Sequence, residues 1–216
     1  MEPALEIVEV SDAGDPRWGA AMAIYEASFP AWEREPESIL VERLGTRRYR
    51  MWVGLRHAGV AGFYLLDLNP SLRYALFSFL AVDAEARGQG LGTLLCRDAM
   101  ERFATGGELR WLLIEAEDRQ AAFYGRLGFS KLDLPYDVPR FDGGGTFPMH
   151  LMVLSAGQRP THIAGRTLRP ILRHLFISGY SLKPDDPRIA AQLARVGDTV
   201  ELIPWPPGGD QEQLPC

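Results

Sequence analysis

Apolar residues recur along the chain at two spacings, two and roughly 3.6, and the switches between them mark out its elements. Leu5 to Val10 alternates like a short strand. Trp18, Met22, Tyr25 and Phe29 follow at intervals of four, three and four, which sets them on one helical face. Phe29-Pro30 ends that helix, and Glu33 to Leu44 reads as a short charged one. Tyr49–Leu55 and Val60–Leu66 are two strands joined by Arg56-His57-Ala58-Gly59, a hairpin signal. Ala75 to Val82 is almost unbroken apolar sequence, as expected of a strand buried on both faces.

The clearest helix follows a glycine-rich stretch. Leu91, Leu95, Ala99 and Phe103 fall on one stripe with Leu94 beside it, and Gly106-Gly107 stops it. Trp111 to Ile114 is a strand, Ala121 to Leu127 a short helix stopped by Gly128, Phe129 to Leu132 a short strand and Thr146 to Leu154 a longer one. Leu134 to Gly145 is left as a long loop. Strands alternating with helices after an early hairpin indicate a mixed α/β sheet in one layer, with helices packed on it.

Ser155 to Pro160 changes character and reads as a linker, dividing residues 1–155 from an extension at 156–216. In the extension Pro170 suits a first helical position before Ile171, Leu172, Leu175 and Phe176, with Gly179 as the stop. Asp186-Pro187 opens a second helix carrying Ile189, Leu193 and Val196, and Pro204 to Gly209 reads as an irregular tail. Two such small helices cannot form their own core, so they must pack on the main domain or on a second copy.

Composition narrows the classes. With 216 residues, 46% apolar and 24% charged, the chain is an ordinary globular one and needs no disulfide or metal staple. The formal charge of −5 and the lack of a Lys/Arg run argue against a nucleic-acid binder. Of two cysteines, Cys96 lies in an apolar helical run, so no disulfide framework or zinc cluster is expected. His57, His150, His162 and His174 have no ligand spacing, and no metal is expected. The first residues lack a basic and then apolar leader, and no run of about 18 apolar residues exists, so the expected compartment is the cytoplasm.

Leu80-Ala-Val-Asp-Ala-Glu-Ala-Arg-Gly-Gln-Gly-Leu-Gly-Thr93 carries the chemistry. It runs from a buried strand, through glycines at 88, 90 and 92, into the long helix. The first N–H groups of a helix have no intrahelical partner, and the helix dipole puts positive potential there. Glycines let a phosphate oxygen approach them. No Gly-Lys-Ser/Thr follows, so this is not a Walker A loop, and G-x-G-x-G differs from the dinucleotide G-x-G-x-x-G.

Arg87-Gly88-Gln89-Gly90-Leu91-Gly92 matches Arg/Gln-x-x-Gly-x-Gly/Ala, and Ala122 to Phe129 ends in Tyr-x-x-x-Gly-Phe. In both, the chain resembles the GCN5-related N-acetyltransferases (GNAT) over roughly Leu5 to Leu154. The resemblance implies a mixed, mostly antiparallel sheet of about seven strands flanked by helices, and acetyl-CoA as cosubstrate. It also implies a CoA-binding set of Leu80, Ala81, Val82, Arg87, Gly88, Gln89, Gly90, Leu91, Gly92 and Thr93. Ala81 and Val82 would pair with the pantetheine arm, Arg87 to Gly92 would hold the diphosphate, and Tyr124 would protonate the departing thiolate.

The group moved would be acetyl or a related short acyl group, and the acceptor would be an amine. At pH 7 a primary amine with pKa near ~10.4 is about one part in 2,500 neutral, a deficit of ~4.6 kcal/mol, so a base is needed. Many relatives carry a glutamate on the fourth strand, where this sequence reads Phe77-Ser78-Phe79. Glu115 at the end of the fifth strand is the first substitute, Glu33 the second and His150 the third. Glu33, Glu35 and Glu37 suit a cationic acceptor if they line its cleft; otherwise they are a solvated helix face. The alternative reading is a CoA-binding regulatory module without catalysis, motivated by the missing strand-four carboxylate and the extension. The extension either covers the acceptor site or makes a homodimer contact.

Overall fold

The computed structural model describes residues 5–57 and 59–206, so Ala58 of the expected hairpin turn, the tail from residue 207 and Cys216 lie outside the described residues. The chain divides into two compact units, one of residues 1–112 with 139–145 and one of 113–138 with 146–216.

In the first unit β1 (Glu6–Val10), β2 (Tyr49–Arg56), β3 (Gly59–Asn69) and β4 (Tyr74–Val82) form an antiparallel meander in that order. One face carries Met51, Val53, Phe63, Leu65, Phe79 and Ala81. Against it pack α1 (Trp18–Ser28) and α2 (Glu37–Gly45), whose Trp18, Met22, Tyr25, Leu40 and Leu44 are buried with them. The other face receives α3 (Leu91–Thr105), where Tyr64 donates to Asp98 and Arg102 lies 5.0 Å over the Trp52 ring.

A bulge explains how β4 is buried on both sides. Leu65 pairs with Phe79 but Leu66 with Phe77, so Ser78 is the extra residue and the side-chain alternation switches there. Phe79 meets Tyr25 at 4.8 Å, while Phe77 meets Tyr64 on the α3 face at 5.7 Å. The stripe Leu91, Leu95, Ala99 and Phe103 is buried as expected, but Leu94 is 47% exposed, one step round the helix from it. The helix expected over Glu33–Leu44 starts only at Glu37, because Pro36 stands at its N-cap and Glu33 closes a separate turn before it.

The second unit contains β5 (Trp111–Ala116, from Leu113 on), α4 (Asp118–Arg126), β6 (Ser130–Leu132), β7 (Tyr136–Pro139, to Val138) and β8 (Thr146–Ser155). It continues with β9 (His162–Ala164), α5 (Gly165–His174), a π turn over Leu175–Gly179, α6 (Pro187–Ala194) and β10 (Thr199–Pro204). Its strand order is β5-β8-β6-β10-β9, with β7 also on β8. Three strands were hidden in the sequence. β7 lies inside the expected Leu134–Gly145 loop, β9 beside the linker, and β10 immediately before the Pro-rich tail. β10 pairs antiparallel with β6 (Leu202 with Leu132), so the extension joins the sheet rather than only resting on it. Pro170 is not the first residue of its helix. α5 begins at Gly165, directly after β9, and Pro170 sits inside it.

Candidate functional site

The segment Leu80–Thr93 is built as an anion cradle. β4 ends at Val82, Asp83 caps a short 3₁₀ turn by accepting from Glu85 N–H (3.0 Å), and α3 opens at Leu91. Gly88 and Gly90 both have φ of +77°, a left-handed conformation that glycine adopts without penalty. A Cβ at either would meet nothing within 4 Å, and one at Gly92 only Val82 Cγ2 at 3.7 Å. Gly90 brings no side chain to cap α3. Among the described residues the backbone N–H groups of Gly88, Gln89, Gly90, Leu91 and Gly92 have no acceptor, whereas that of Thr93 already turns inward to Gly90 O (3.0 Å). Arg87 is exposed and tied back, donating to Val82 O (3.1 Å) and Ser28 Oγ (3.3 Å). The Gln89 side chain lies aside, donating to Glu85 O (3.3 Å) and accepting from Arg56. Arg56 therefore brings a second guanidinium to the loop. The sequence read it only as part of a turn.

Tyr124 and Glu115 belong to the second unit. Tyr124 is 6% exposed on α4, its ring 5.0 Å from Phe123 and 5.7 Å from Phe129. The spacing of Tyr-x-x-x-Gly-Phe has a local cause. Phe129 N–H donates to Tyr124 O (3.1 Å) and Gly128 N–H to Gly125 O (3.0 Å), a Schellman ending with Gly128 at φ +100°. Glu115 is a partly buried carboxylate whose Oε1 accepts from the Tyr136 hydroxyl and whose Oε2 accepts from that of Tyr180 (2.6 Å). Burial pushes its carboxyl above the usual range, and the two phenol hydrogen bonds pull the other way. His150 Nε2 lies 2.6 Å from Asp118 Oδ1, and its ring is 4.8 Å from that of Trp205.

Residues 47–131 match the family model of the acetyltransferase (GNAT) domain. Over that stretch the chain is similar to the GNAT acetyltransferases. A GNAT-family chain from Bacteroides thetaiotaomicron superposes with a TM-score of 0.68 at 19% identity, covering 82% of this chain and 99% of that one. The ribosomal-protein-S18-alanine N-acetyltransferase of Escherichia coli superposes at 0.54 and 21% identity, over 72% and 97%. The spermidine N-acetyltransferase of Vibrio cholerae, solved with CoA and spermine, gives 0.56 at 17%, over 70% and 95%. These likenesses establish the GNAT fold. No curated protein matches the sequence.

In the first unit, a cavity of about 370 Å³ is lined by Tyr25, Glu26, Arg34, Glu35, Glu37 and Phe141 among others. Glu35 is not on a solvated helix face. It is 5% exposed, and its Oε1 accepts from Arg43 Nη1 and from the Tyr49 hydroxyl, both at 2.6 Å. Its Oε2 has no hydrogen-bond partner among the described residues. Burial outweighs the nearby Arg43 charge and the Tyr49 hydrogen bond, and pushes the carboxyl up to about 7. Glu37 instead accepts from Trp18 Nε1 (2.8 Å), and Glu33 N–H closes the turn onto Pro30 O (2.9 Å). At the β4 bulge, Ser78 Oγ is buried without a hydrogen-bond partner among the described residues. Among those residues too, no helix is long and apolar enough to cross a membrane.

Proposed function

We propose that the protein moves the acetyl group of acetyl-CoA to a primary amine. The observation that carries this reading is the row of unbonded amides from Gly88 to Gly92 between β4 and α3, with Gly88, Gln89 and Gly90 exposed and no side chain over Gly88 or Gly90. Such a row suits a diphosphate, each oxygen of which accepts several N–H groups. On this reading Leu80, Ala81 and Val82 line the pantetheine arm and Arg87 to Gly92 hold the diphosphate, with Thr93 beside them and Arg56 adding charge. Acetyl-CoA supplies the thioester. The two neighbours that act on a ribosomal-protein alanine and on spermidine support an amine as acceptor.

The remaining chemistry falls to the chain's own side chains. Glu115 takes a proton from the ammonium group, and the freed lone pair attacks the thioester carbonyl carbon. As the C–S bond breaks, its electron pair leaves with sulfur and the Tyr124 hydroxyl protonates it; the second proton of the acylated nitrogen then restores Tyr124, and Glu115 releases the first to solvent. The balance is one ammonium and one thioester giving one amide, one thiol and one released proton. Positioned proton transfer of this kind contributes roughly 10²–10⁴-fold. Residues 134–145 set acceptor preference, residues 1–155 form the transferase and residues 156–216 its extension.

Melting curves test the binding half. Saturation at about 100 times Kd stabilises by about 2.7 kcal/mol, or roughly 5–10 °C for a chain of this size. Arg87→Glu removes the shift, and an unchanged curve for the wild type at millimolar acetyl-CoA contradicts the reading. The second reading, a CoA-binding regulator without catalysis, draws on the missing carboxylate at Phe77-Ser78-Phe79. It requires binding with no thiol release for any amine.

A further inference from the structure

Three segments distant in sequence converge on one carboxylate. Glu115 lies near the end of β5, Tyr136 opens β7, and Tyr180 follows the π turn of the C-terminal extension. Each oxygen of Glu115 has its own phenol donor, Tyr136 on Oε1 and Tyr180 on Oε2. No charged side chain pairs with it among the described residues. The donors are themselves held. Phe176, 1% exposed, packs its ring 6.1 Å from that of Tyr136 and 6.0 Å from that of Tyr180. Gln192 of α6 ties down β7 by donating to Pro135 O (3.0 Å) and accepting from Asp137 N–H (3.2 Å). A partly buried carboxylate with no cation beside it is disfavoured as an anion unless donors compensate it, and here two phenols do.

We propose that Tyr136 and Tyr180 are positioning residues of the acceptor site, which fix Glu115 in the orientation that receives the ammonium proton and make the extension a working part of that site. The inference rests on the transfer reading above. An ionised carboxylate offers about four lone-pair sites, so two phenol bonds leave two for an incoming N–H. The N–H bond of the ammonium breaks, an O–H bond forms on Glu115, and the nitrogen keeps the electron pair. Phenol donors suit this task better than Arg or Lys, because they steady the anion without placing a positive charge beside an arriving cation.

The test reads Glu115 directly and then through turnover. In protein labelled with ¹³C-glutamate, the Glu115 carboxyl resonance is the one that vanishes in Glu115→Gln. Its titration midpoint rises by about one pH unit in Tyr180→Phe and in Tyr136→Phe, since each removes a donor to the ionised form. CoA release from acetyl-CoA is measured in parallel with spermine, putrescine and a free peptide N-terminus. The acid limb of kcat/KM moves up by the same interval while the Kd for acetyl-CoA stays put. Should either phenylalanine variant not fold, 3-fluorotyrosine at position 180, a stronger donor, moves the midpoint down. A midpoint that stays fixed overturns the proposal, and so does a limb that stays while the midpoint moves, which makes the phenols purely structural. A wild type that binds acetyl-CoA but releases no CoA across the panel overturns the transfer reading itself, whatever the midpoint does.

Discussion

Glu35 gives the sharpest quantitative expectation. Its carboxyl is 5% exposed and sits at about 7 in the folded chain against an ordinary 4.5, because burial outweighs Arg43 and Tyr49. A carboxyl whose folded value is raised binds its proton more tightly folded than unfolded. Its contribution to stability is therefore fully present below about pH 4.5 and is lost as pH rises through about 7. At 1.36 kcal/mol per unit, the loss between pH 5 and pH 8 is about 2–3 kcal/mol. Glu35→Gln cannot titrate. It strands the Arg43 charge at both pH values alike, so the common loss cancels when only the pH difference is compared. Urea unfolding of both proteins at pH 5 and pH 8 reads that difference. The wild type should lose about 2–3 kcal/mol more than Glu35→Gln on going to pH 8. Parallel pH dependence would mean that Arg43 keeps Glu35 ionised throughout, and would refute the balance drawn here.

The other expectations are simpler. Gly90→Ala has room for its methyl group but not for φ of +77°, so it costs about 1–2 kcal/mol by thermal unfolding and weakens acetyl-CoA binding in calorimetry. Gly125→Ala would put a Cβ 1.7 Å from the Trp205 carbonyl oxygen. It should destabilise by about 1–3 kcal/mol as the end of β10 is pushed off α4, and a melting curve like that of the wild type would contradict this. Tyr124→Phe should lower kcat by roughly 10²–10⁴-fold, read as CoA release, and leave the acetyl-CoA melting shift intact. Cys96, wholly buried with its thiol pushed up to about 12, should not react with a maleimide until the protein unfolds.

What could be read from the chain alone was what is local. The β4–loop–α3 segment is announced by an apolar run, three alternate glycines and a four-residue apolar stripe, all within one stretch. The Tyr-x-x-x-Gly-Phe spacing is a helix ending, and a helix ending is written in adjacent residues. The losses are non-local. β10 has the alternation of a strand in Thr-Val-Glu-Leu-Ile, but only pairing with β6, some seventy residues away, makes it one. Glu35 looks like a surface charge until Arg43 and Tyr49 close over it, and Glu115 gains its donors from positions 21 and 65 residues further on. The bulge at Ser78 leaves no local mark, since Phe77 and Phe79 look equivalent until their partners separate them.

Whether bare amides take the diphosphate can be watched residue by residue. In ¹H–¹⁵N spectra of the labelled protein, acetyl-CoA should move the amide protons of Gly88, Gln89, Gly90, Leu91 and Gly92 downfield as each gains an oxygen acceptor. Acetyl-pantetheine, which has the thioester arm but no phosphate, should leave them in place. Five unmoved amides in the presence of bound acetyl-CoA, or equal shifts with both compounds, would contradict the account.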